Sequence, residues 1–132
     1  MPGDPAVGEA GLELARQGAI TLVGALSTYA FIAARAGISR LYGRFGAERA
    51  QWTVMCLDTH QELMTGTEVD EHDEVREELA AGWWTSLAGL LADHPDAEHD
   101  LRQVLDEIRA SLPEAQRVWV RHAIAWNAHD AV

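Results

Sequence analysis

An all-α fold, an antiparallel helical bundle of about four helices with a long apolar N-terminal helix, is predicted by three observations. Eighteen uncharged residues, Gln17 to Ala34, separate Arg16 from Arg35. Leu101, Val104, Leu105, Ile108 and Leu112 repeat at three- and four-residue steps, the spacing of one helix face. Breakers at Gly43 and Gly46, at Thr65-Gly66-Thr67 and at Asp93-His94-Pro95 divide the chain into helix-sized pieces.

In chain order, residues 1–11 are rich in Gly, Pro and Ala without a period and are expected to form a mobile tail. A first helix is expected from Gly11 to about Arg44. Leu12, Ala15, Ala19, Leu22, Leu26, Tyr29 and Ala33 form its stripe, while Ile20, Val23, Phe31 and Ile32 lie off it. A helix apolar nearly all round is buried in a core or in a membrane. The second helix spans Ala47 to Met64, with Trp52, Met55, Cys56, Thr59 and Leu63 recurring at helical steps. The third runs from Glu68 to about Ala92. Thr67 is a candidate cap, and the acids from Glu68 to Glu78 suit its N-terminal dipole. Asp96 is a candidate cap for the fourth, which Pro113 ends. The bundle is thus expected over 12–112. Residues 113–132 are read as a fifth, poorly determined helical segment: Arg117-Val-Trp-Val-Arg121 alternates like a strand, yet Trp119, Ala123 and Trp126 share a helical face.

The chain of 132 residues points to one domain with an adequate core. Its net charge of -11 is unevenly spread. Residues 1–56 hold five Arg against four acids, whereas 57–112 hold three Arg against fifteen. An acidic body without Lys disfavours nucleic acid, which is bound by replacing counterions. The single Cys56 excludes an internal disulfide and suits a reducing, cytoplasmic setting.

Patterns that carry chemistry are sparse. The richest patches for metal are Asp70-Glu-His-Asp-Glu74 and His94-Pro-Asp-Ala-Glu-His-Asp100. A di-iron bundle needs two Glu-x-x-His pairs, and the chain offers only Asp96-x-x-His99. Zinc spacing is missing, so no metal and no cofactor are expected. Asp58, His60 and Glu62 lie close in sequence, but His60 points away from the face its neighbours share. Cys56 reads as a small buried hydrophobe. With no phosphate loop or nucleophile motif, no small-molecule substrate is evident and an enzyme is not expected.

Trp83 and Trp84 lie about 100° apart on a helix, so one of them is expected to be exposed as a contact anchor. Arg35, Arg40, Arg44 and Arg49 follow the apolar run. They are expected either to pair with the acids of the third helix or to flank a membrane span near 18–35.

The run Ile20-Thr-Leu-Val-Gly-Ala-Leu-Ser-Thr28 through Arg40-Leu-Tyr-Gly-Arg44, with Leu57-Asp-Thr-His-Gln-Glu-Leu63, Glu78-Leu-Ala-Ala-Gly-Trp83 and Leu101-Arg-Gln-Val-Leu-Asp-Glu-Ile108, resembles a group of small all-helical actinobacterial proteins of streptomycete type. The resemblance covers roughly 12–110. It implies a small helical fold and a loose association with bacterial conflict or regulatory systems, and no activity. Trp84 departs from the group, where a polar residue is usual.

The expectation is therefore a non-enzymatic, adaptor-type interaction protein that self-associates or binds a partner helix. The alternative is a single-pass membrane protein with an acidic cytoplasmic helical domain; a metal protein or enzyme ranks third. Small residues along the first helix would admit a second helix closely, and acid repulsion favours its Arg-bearing end. The candidate interface is Ala33, Gly37, Arg40, Leu41 and Arg44, with Trp84 as a further anchor.

Overall fold

The computed structural model describes the backbone of residues 8–130 and side chains as far as Ala125. Most of the expected N-terminal tail and the side chain of Trp126 therefore lie outside the described residues. Among the described residues six α-helices follow one another: α1 Glu9–Ala25, α2 Phe31–Gly43, α3 Ala47–Thr65, α4 His72–Asp93, α5 Ala97–Ser111 and α6 Glu114–Asp130. One 3-10 turn, Val69–Glu71, precedes α4. The all-α class agrees with the sequence reading, but the expected single helix from Gly11 to Arg44 is two helices.

The break has a local cause. The Thr28 hydroxyl donates to the Ala25 carbonyl at 2.9 Å and accepts the Ala30 N–H at 3.0 Å. Short polar side chains compete in this way with the helical ladder, and the chain turns between Leu26 and Ala30. The segment proposed as a membrane span contains this turn. Among the described residues no helix is long and apolar enough to cross a membrane.

α1 is the hub. It packs on α4, α5 and α6, and Ala15, Ala19, Leu22, Val23 and Ala25 are all buried. Its two buried polar side chains are mostly accounted for. Thr21 donates to the Gln17 carbonyl at 2.7 Å. Arg16 grips Glu13 and donates to the Ile124 carbonyl at 3.2 Å, though its Nη1 has no partner. Glycine permits the closest approach: a Cβ on Gly24 would stand 2.7 Å from Val120 Cγ2 of α6. Leu22, Leu26, Leu101 and Leu105 are buried, and Leu79 is half-buried against the core.

α2 lies between α3 and α5. α3 is the outermost of these, leaning on α2 and touching α4 sparsely. The turn Arg44–Gly46 reverses the chain at Gly46, whose φ of 130° suits glycine. Two capping expectations need correction. Thr67 donates to the Leu63 carbonyl at 2.6 Å instead of capping the next helix. Asp96 sits at the N-cap of α5 but makes no side-chain cap bond. Beyond Pro113 the ambiguous segment is helical. Arg117 closes the end of α5 by donating to the carbonyls of Leu112 and Ala110, a favourable use of a cation at a helix C-terminus.

Candidate interaction surface

The candidate interface residues on α2 are taken up mostly within the chain. Gly37 and Leu41 are buried, and a Cβ on Gly37 would stand 2.5 Å from Val104 Cγ1 of α5. Ala33 is half-buried. Arg40 donates to Glu107 at 2.8 Å, and Arg44 pairs with Asp96 and Asp100. Arg35 grips Asp58 through two bonds of 2.9 and 3.1 Å, and this pairing raises the pKa of Arg35. The expected pairing of these arginines with the acids of α4 is thus corrected: their partners lie on α3 and α5. Arg49 stands over the Tyr42 ring, 5.6 Å from its centroid.

The expected division of the tandem tryptophans is present. Trp83 is 3% exposed and Trp84 41%. Trp84 borders a cleft of about 200 Å³ between α1, α4 and α6, shared with Arg16, Glu77 and Trp119. Arg76 lies over the Trp119 ring at 5.0 Å and pairs with Asp73.

On α3 the row legible in the sequence and the row that packs are different. Ala50, Thr53, Leu57 and Met64 face the core. The conspicuous stripe points outward instead: Trp52 is 66% exposed, Met55 61% and Leu63 48%, with Thr59 exposed between them. Cys56 is half-buried at the margin of this stripe.

Between α3 and α4 runs an open groove of about 390 Å³. Trp52, Cys56 and His60 line the α3 side, Gly82, Trp83 and Ser86 the α4 side, and Tyr42 also contributes. Two polar bonds fix it. The Trp83 indole donates to His60 Nδ1 at 3.0 Å, the rings meeting edge to face. The hydroxyls of Tyr42 and Ser86 share a bond of 2.9 Å. Burial lowers the pKa of His60 and raises that of Tyr42, since both are then held neutral. A Cβ on Gly82 would meet nothing within 4 Å, so the α4 wall is smooth there.

The residues weighed for chemistry are drawn apart. Asp58 is held by Arg35 and His60 by Trp83, so the Asp58–His60–Glu62 group is not assembled. His72 bonds the Thr67 carbonyl, and His94 stacks on Phe45 at 3.8 Å. Among the described residues no three His, Cys, Asp or Glu side chains are grouped to hold a metal ion. Comparison with family models, with curated proteins and with solved structures finds no match in any of the three.

Proposed function

We propose that this chain is a non-enzymatic helical interaction module, whose contact face is the outer side of α3. The observation that carries this reading is the row Trp52, Met55 and Leu63, exposed together on one helix. Spacings of three, eight and eleven residues put them on one side of α3. Scattered surface hydrophobes are ordinary, but several large apolar side chains exposed on one helix face mark a contact site, and Trp is enriched among the anchors of such contacts. These side chains lie outside the core: α3 is held by Leu57, Met64 and Ala50 on its opposite side.

The face lies on α3 and not at the Arg-bearing end of α2, because Gly37 and Leu41 are buried. A photo-crosslinking residue at position 52, 55 or 63 tests the reading in cells that express the full chain. Discrete adducts are expected from these positions and not from position 102 on the exposed side of α5. Equal labelling at 102, or none on α3, contradicts it.

A further inference from the structure

From the charge around the α3–α4 groove we infer that its occupant is a basic amphipathic helix of another protein. This rests on the interaction reading above and names the partner. Trp52 belongs both to the exposed row and to the groove, so the apolar face continues into a concave slot. A helix lying in such a slot inserts side chains at three- and four-residue steps. The smooth wall at Gly82 admits it closely, because no side chain projects there.

Charge selects the occupant. Where α3 hands over to α4, Glu68, Asp70, Glu71, Asp73, Glu74, Glu77 and Glu78 are all exposed. The one basic residue among them, Arg76, is buried against Asp73 and Trp119. The solvent side of α3 adds Glu48 and Glu62. Arg49 is itself part of the groove lining and stands over the Tyr42 ring, one basic group against these acids. A helix bearing Lys or Arg beside its apolar stripe meets complementary potential here, and an acidic one is repelled. The same argument disfavours a second copy of this chain, which would bring an equally acidic surface.

The test titrates the full chain with two synthetic helices of identical leucine pattern, one with lysines and one with glutamates on the polar face. Tryptophan fluorescence and calorimetry read binding. The leucine–lysine helix is expected to bind one to one, at least about tenfold more tightly than its glutamate twin, and to weaken as salt rises. Gly82→Gln puts bulk into the slot without a clash in the fold, and Trp52→Ala removes the exposed anchor. Each is expected to weaken binding about tenfold. Equal binding of the two helices, or lysine-helix binding indifferent to both substitutions, overturns the proposal. So does a dimer of the chain itself that Gly82→Gln dissolves. Position-selective adducts on α3 together with failure of the lysine helix would leave the interaction reading standing and remove only the basic partner.

Discussion

His60 accepts the Trp83 indole proton through Nδ1. An indole N–H only donates, so the ring nitrogen facing it is unprotonated and the neutral imidazole carries its proton on Nε2. Burial acts in the same direction and lowers the pKa. The unfolded chain, with its histidine near the ordinary value of about 6.5, takes up the proton first as pH falls. The contribution of this bond is therefore complete above the ordinary histidine range and is lost as pH drops through the lower folded value. An NMR titration of the His60 ring should give a midpoint below the ordinary value; one at or above it contradicts the hydrogen bond. Removing the ring by His60→Ala strands the Trp83 N–H and should cost about 1–3 kcal/mol in a denaturant melt. The spacing of His60 from Asp58 and Glu62 reveals nothing of this partner, which lies 23 positions away.

Glycine decides the seam between α2 and α5. A methyl on Gly37 would press on Val104 Cγ1, and valine in a helix has little freedom to turn aside. Gly37→Ala should cost about 1–3 kcal/mol, and Val104→Ala should relieve part of that loss in the double variant. Losses that simply add would mean the two do not touch. The sequence did signal close approach along the expected first helix, through Gly24, Thr28, Ala30, Ala33, Ala34 and Gly37. Gly24, Ala30, Ala34 and Gly37 are buried within the chain, while Thr28 and Ala33 are half-buried, so the chemistry was legible and the occupant was not. The turn at Leu26–Ala30 was written in Ser27 and Thr28, whose competition for backbone bonds is masked by the unbroken apolar run around them. α5 was the most legible element, because its apolar residues occupy a single face.

At the scale of the molecule, α1 is buried by α4, α5 and α6, while α3 attaches chiefly to α2. That asymmetry makes α3 the helix with a face to spare. Periodicity could not settle which face, because Ala50, Leu57 and Met64 form one helical row and Trp52, Met55 and Leu63 another. Side-chain size favours the second row as core, whereas packing on α2 selects the first. The negative charge gathered between residues 57 and 112 was legible from composition; the groove between α3 and α4 appears only in the folded chain.

The central claim is that α3 folds on its Ala50, Leu57 and Met64 row and leaves Trp52, Met55 and Leu63 bare. Paired denaturant melts of Leu57→Ala and Trp52→Ala test it most directly, since the two residues lie on opposite sides of one helix. Leu57→Ala should lose about 2–5 kcal/mol, and Trp52→Ala no more than about 0.5 kcal/mol. A loss of about 3–5 kcal/mol from Trp52→Ala, the cost of emptying a tryptophan site in a core, would place that side chain inside the fold and contradict the account.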